Sequence, residues 1–301
     1  MSRGVEKSRS REEDGKTARR QDGERAAALR PRVGGFIQQA ILVLASIVAL
    51  FPLWFMLWTA VRSNDDYFRS PLGWPREVRW ENFGRAFDEN IGRWVVNSAI
   101  VTTGAVVLVT LISVPAAYAF VRLPFRGSAM LLKVFVFLMV IPPIVMLLPL
   151  FALMTALGRV NHFDAVIVAY AGLMFPFSVF MMVRYIETIP QDLYEAAFVE
   201  GASHWRILWS IVTPLIVPAL LTLGIVNALW AWNELLIAVV LLQREDSRTL
   251  QAGLALLKGK NSMDMPLVMA GATISAIPLL LLYLFGQRVF MSGLLAGAVK
   301  E

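Results

Sequence analysis

The chain has 301 residues, 57% of them hydrophobic and 17% charged, with a formal net charge of +6. Soluble domains run about 45–50% apolar, so an excess gathered in long runs points to lipid exposure rather than to one large core. Without cysteine there is neither a disulfide nor a thiolate metal site, and the positive charge comes with no nucleic-acid-reading element.

In chain order, residues 1 to about 32 alternate Arg, Lys, Glu, Asp, Gly and Ser with almost no large apolar side chain. Such a segment buries too little apolar area to offset its ordering entropy, and a disordered tail is expected. It lacks the apolar stretch that follows the basic end of a cleavable signal. Its Arg19, Arg20, Arg25, Arg30 and Arg32 are candidates for contact with anionic lipid headgroups.

Six apolar runs follow, near 36–61, 94–121, 130–156, 164–186, 215–242 and 266–289. Each meets the ~20 residues that a bilayer core requires. The pattern predicts an all-α, polytopic membrane protein: a tail over 1–32, a six-span domain over 33–291 and a C-terminal tail over 292–301. Pro142, Pro143 and Pro149 predict a bent or broken third span. Proline at that depth requires neighbours that satisfy the freed carbonyls, hence a packed bundle. The basic tail places the N-terminus inside, and an even number of spans returns the C-terminus to the cytoplasm. Loop 62–93 resists this assignment, because Arg62, Arg69, Arg76, Arg79, Arg85 and Arg93 lie in what becomes an outer loop.

The longest inner connection, 187–213, is hydrophilic. Pro190-Gln191-Asp192 opens a short helix in which Asp192 is a candidate cap and Glu195 can reach back to complete a capping box. Gly201 falls where a helix terminus takes positive φ. Ser203 can cap a second helix running through Ile211, with Pro214 resetting the chain before the fifth span. The expected product is a helix-turn-helix finger on the membrane face. Ala196 and Ala197 are small enough for a partner to approach closely, and Glu195 offers it a carboxylate. An ordinary amphipathic connector is the plainer reading.

Within the fifth run, Asn227, Trp230 and Glu234 fall at i, i+3 and i+7, on one helix face. Polar groups inside a span are candidate pathway residues: amide and carboxylate can bond hydroxyls, and indole can stack on an apolar ring face. Bonding to neighbouring helices is the alternative. No catalytic set emerges. Gly253 to Asn261 only approximates a phosphate-binding loop, with five intervening residues instead of four and Asn261 where a hydroxyl belongs. His162 and His204 lack a ligand cluster, so no metal site is expected.

Glu195-Ala196-Ala197, three residues, Gly201, nine residues and Ile211, followed by Pro214, resemble the EAA loop of ABC importer permeases. Thr213 departs from the leucine usual before that proline. Trp80-Glu81-Asn82-Phe83, Asn97-Ser98, Ala116-Ala117-Tyr118-Ala119-Phe120, Ala231-Trp232-Asn233-Glu234 and the segment from Ser292 to Glu301 resemble the carbohydrate-uptake branch, of the second maltose-type inner-membrane permease subunit. The resemblance implies a type I importer permease in the cell membrane, forming half of a translocation pathway. It implies docking of an ATPase dimer through Glu195, Ala196, Ala197, Gly201, Ile211 and Pro214. Further implied partners are a homologous second permease, an extracytoplasmic sugar-binding protein and membrane lipid. ATP and Mg would be bound by the ATPase, with no cofactor in this chain. Permeases for polyamines, phosphate or amino acids share the loop. An ion-coupled secondary transporter is a rival of another class, which would predict coupling carboxylates and an inverted repeat.

Overall fold

The computed structural model describes residues 33–123, 125–260 and 264–298. The tail expected over 1–32, with its five candidate arginines, lies outside them, as do residues 299–301. The chain divides into two units, 1–55 and 56–301.

The first unit carries most of α1 (Val33–Ala60). Ile41, Leu42, Leu44, Ile47 and Val48 are all exposed although they lie around the whole helix. An apolar helix with no polar face is suited to lipid. The Ser46 hydroxyl donates to the Leu42 carbonyl at 2.8 Å, so the helix satisfies its own polar side chain.

The second unit is also helical among the described residues. It contains α2 (Asn64–Arg69), α3 (Glu81–Asp88), α4 (Ile91–Arg122), α5 (Ser128–Leu138), α6 (Pro143–Ala156) and α7 (Phe163–Ile186). These are followed by α8 (Gln191–Val199), α9 (His204–Ile207), α10 (Val217–Asn233), α11 (Leu236–Leu241), α12 (Leu250–Lys260) and α13 (Met265–Ala298). By length and composition, Gln38–Ala60, Ile91–Arg122, Phe163–Ile186 and Met265–Leu284 can each cross a membrane. Two bent pairs bring the number to six if each pair forms one span.

The third predicted span is one of these pairs: α5 and α6 meet at 99°. Pro142 is extended (φ −63°, ψ 135°), the conformation a residue before proline prefers, and Pro143 then opens α6 where its missing N–H is harmless. The fifth is broken twice. The run from His204 to Leu215 meets α10 at 77°, and α10 stops at Asn233 instead of continuing to 242. The turn before the bend, Leu208–Val212, is widened, with the Thr213 N–H reaching back five residues to the Leu208 carbonyl. A normal turn would press the Pro214 ring against the carbonyl four residues earlier, and the wider turn relieves this. The last helix runs through Pro278 and includes 292–298, the described part of the segment expected as a C-terminal tail.

Three apolar clusters organise this unit. In one, Val114, Ala117 and Tyr118 of α4 meet Val179, Met182 and Ile186 of α7, together with Tyr194, Ala197, Ile207 and Val212. In the next, Val101, Ala105 and Val109 meet Tyr170, Met174 and Ile237. In the third, Ile91 and Trp94 pack with Leu250, Leu257 and Ala270. Small residues set the close approaches. A Cβ on Gly104 would lie 2.7 Å from the Ile167 Cδ1. One on Gly253 would enter the Trp94 ring, so the glycine that resembled part of a phosphate loop is required by packing.

The arginines of loop 62–93 are largely occupied within the fold. Arg62 is fully buried and donates to the carbonyls of Pro71, Asp66 and Ser70 at 2.6–2.8 Å. Arg76 pairs with Asp66 at 3.7 Å, Arg79 with Glu77 and Glu81 at 3.6 and 3.4 Å, and Arg85 with Asp264 at 2.6 Å. Their abundance follows from building a folded connection of carbonyl and carboxylate clasps.

Candidate functional site

The finger forms much as its residues dictate, but its caps differ. Pro190, extended, precedes α8 and has no side-chain acceptor, so the expected capping box is absent. Asp192 lies inside the first turn, and Glu195 accepts the Gln191 amide at 2.9 Å instead of returning to the helix start. Gly201 has φ +78° and ends the helix as expected. The N–H of Ala202 closes on the Ala197 carbonyl at 3.0 Å. Ser203 caps the next helix by accepting the Arg206 N–H at 3.4 Å. That helix is regular only to Ile207, not through Ile211.

Burial sorts the six expected docking residues into two groups. Glu195, Ala196, Gly201 and Pro214 are exposed. Ala197 is 6% exposed and faces the finger's own core, so it is not a surface that a partner can approach. Ile211 is half-buried against the same core. The outward face also carries Leu193, Phe198, Trp205 and, at 89% exposure, Val199. This apolar set was missed at the sequence level because 3.6-residue spacing alone does not say which face turns inward.

Two side chains of α4, one helical turn apart, hold the finger. The Arg122 guanidinium lies 3.5 Å over the Tyr194 ring centroid and donates to the Ile189 carbonyl at 3.0 Å. The Tyr118 hydroxyl lies 3.0 Å from Nδ1 of His204, whose ring packs edge-on to Phe198. His204 is thus part of this contact, and among the described residues no group of three His, Cys, Asp or Glu side chains comes together.

The second region is a cavity of about 340 Å³ at the α5–α6 break. Leu138, Ile141, Met174 and Phe177 line it together with Asn227 and Trp230. The Asn227 amide donates to the Ser178 hydroxyl at 3.0 Å, which donates to the Met174 carbonyl at 2.8 Å. Trp230 is half-buried and stands edge-on to Tyr170. Glu234 does not share their helix face. It lies past the end of α10 with ψ 124°, where its carboxylate accepts the N–H groups of Ile237 and Ala238 at 3.0–3.2 Å and the Tyr170 hydroxyl at 2.7 Å. Its local task is to cap α11 and join it to α7, because the break exposes donors that need an acceptor.

The family described as "Binding-protein-dependent transport system inner membrane component" matches residues 109–293. The chain is 34% identical to the probable ABC transporter permease protein YurM of Bacillus subtilis (strain 168), over 86% of each chain. It is 30% identical to the diacetylchitobiose uptake system permease protein NgcG of Streptomyces coelicolor, over 92% of this chain and 91% of the relative. A chain in the crystal structure of a bacterial ABC transporter that imports the acidic polysaccharide alginate superimposes with a TM-score of 0.73. Identity there is 26%, over 85% of this chain and 96% of that one.

Proposed function

Because this chain belongs to the family of binding-protein-dependent transport system inner membrane components, we propose that it forms half of an import pathway for a sugar or oligosaccharide and takes its driving motion from a separate ATPase through finger 187–213. It is a permease subunit of an ABC importer, a multi-pass inner-membrane protein and a transport component rather than an enzyme. The carbohydrate reading draws support from the relatives named for diacetylchitobiose and alginate.

The observation that carries the docking role is the two-faced construction of the finger. Tyr194, Ala197 and Ile207 root it in the core of α4 and α7, while Glu195, Ala196 and Val199 stay outside. A connector serving only to link spans has no need of an apolar outer face on a rooted base. Gly201 supplies the turn, Ile211 belongs to the scaffold beneath, and Pro214 stays exposed three residues further on. ATP and Mg belong to the ATPase in this reading. A homologous second permease completes the pathway, an extracytoplasmic binding protein delivers the solute, and both termini lie in the cytoplasm. Asn227 and Trp230, at the wall of the cavity, are the pathway candidates; Glu234 supports that wall from behind.

The test is co-purification. Tagged wild-type chain should retain the ATPase encoded with it, and variants of the outer face should lose it or lose solute-stimulated hydrolysis. Full retention with full stimulation in Glu195→Lys would remove the docking reading.

A further inference from the structure

Neither Tyr118 nor Arg122 touches the outer face of the finger, yet each grips a different limb of it. Arg122 holds the first limb twice, through the Ile189 carbonyl and the Tyr194 ring. Tyr118 holds the second limb through His204, at the first position of the helix that Ser203 caps. Between the limbs lies the Gly201 turn, the conformationally softest point of the finger. Apolar burial is non-directional. A hydrogen bond and a guanidinium stacked on a ring fix orientation as well as distance. Both grips arise from one helical turn of α4, which continues through 32 residues to the other side of the apolar bundle.

We propose that Tyr118 and Arg122 are positioning residues that lock both limbs of the finger to α4, so that displacement of the docked finger moves α4 as a lever instead of flexing the Gly201 turn. The proposal rests on the docking reading above and adds to it the route by which motion leaves the finger. Docking and transmission are separable: the outer face binds, and the two grips transmit.

The experiment uses the assembled transporter in proteoliposomes with its binding protein and solute. Three quantities are read: ATPase retained per permease, ATP hydrolysed, and solute imported per ATP. Tyr118→Phe removes one hydroxyl and keeps the ring, and His204→Phe removes the ring nitrogen that faces it from the exposed side. Tyr118→Phe should leave ATPase retention intact, and each variant should lower import per ATP by about five- to tenfold, the scale that the net worth of one hydrogen bond implies. The double variant should fall no further than either single one, because both remove the same bond. Arg122→Lys keeps the charge but loses the flat stacking face and should lower import per ATP independently, so its effect adds to that of Tyr118→Phe. Unchanged import per ATP in the Tyr118→Phe, Arg122→Lys pair would overturn the proposal. So would loss of the ATPase from that pair, since the two residues would then shape the docking face. Failure of docking itself is read separately, from ATPase retention in Glu195→Lys.

Discussion

The Tyr170 hydroxyl donates to the Glu234 carboxylate at 2.7 Å, joining α7 to the break between α10 and α11. The same carboxylate receives the Ile237 and Ala238 N–H groups in the first turn of α11. One acidic side chain therefore holds a helix start and an interhelical contact, and its removal leaves several donors unmet. Each orphaned buried donor costs about 1–3 kcal/mol. Glu234→Ala should lower the thermal unfolding midpoint of the detergent-solubilised chain clearly, and Tyr170→Phe should lower it less, by the equivalent of about 1 kcal/mol. Intrinsic tryptophan fluorescence on heating measures both. An unchanged midpoint with abolished uptake in Glu234→Ala would instead make it a solute-contacting residue.

Gly201 sits at φ +78°, and a Cβ built there meets nothing within 4 Å. The penalty of substitution is therefore conformational and not steric, about 1–2 kcal/mol for an ordinary residue in the left-handed region. Gly201→Ala should weaken ATPase retention, Gly201→Asn should weaken it less because Asn tolerates this region, and Gly201→Val should weaken it most. Retention that ignores this order would mean that the turn does not set the docking geometry.

Glu195 and Val199 are exposed, and the Glu195 carboxylate accepts the Gln191 amide from one turn earlier in the same helix. Glu195→Lys and Val199→Asp should leave membrane insertion and the unfolding midpoint within about 0.5 kcal/mol of wild type, as surface changes usually do. Both should reduce co-purified ATPase. A quantitative immunoblot of purified membranes gives expression and recovery together.

Trp230 is half-buried at the cavity wall, and Asn227 is held from behind by Ser178. Trp230→Ala should lower the maximal uptake rate at saturating binding protein while ATPase retention stays normal. Asn227→Ala removes one hydrogen bond, about 1 kcal/mol of stability, and should lower uptake less. Uptake equal to wild type in both would place the solute path on the second permease.

With no cysteine in the chain, single replacements report topology cleanly. Ser70 and Thr188 are both exposed. Ser70→Cys should react with an impermeant thiol reagent in cells whose outer membrane admits it, and Thr188→Cys should react only after lysis. The reverse pattern would invert the orientation.

Hydropathy and spacing were sufficient for the broad plan. An apolar run of about 20 residues declares itself locally, and a contiguous loop such as 187–213 carries its turn residues with it. Gly201 and Ser203 behave as their own chemistry requires. The breaks at Pro142 and Pro214 were legible for the same reason, although the angles of 99° and 77° were not. What stayed hidden depends on partners distant in the chain. The end of α10 at Asn233 depends on an acidic residue whose other contact, Tyr170, is 64 residues away. The grip of Tyr118 on His204 spans 86 residues. The inward turn of Ala197 requires the α4–α7 core beneath it, and the arginines of loop 62–93 find their carbonyls and carboxylates only once that loop closes. A single sequence shows which groups need a partner. Which partner they find is set by packing, because apolar burial brings the helices together and the polar groups then take the donors and acceptors left within reach.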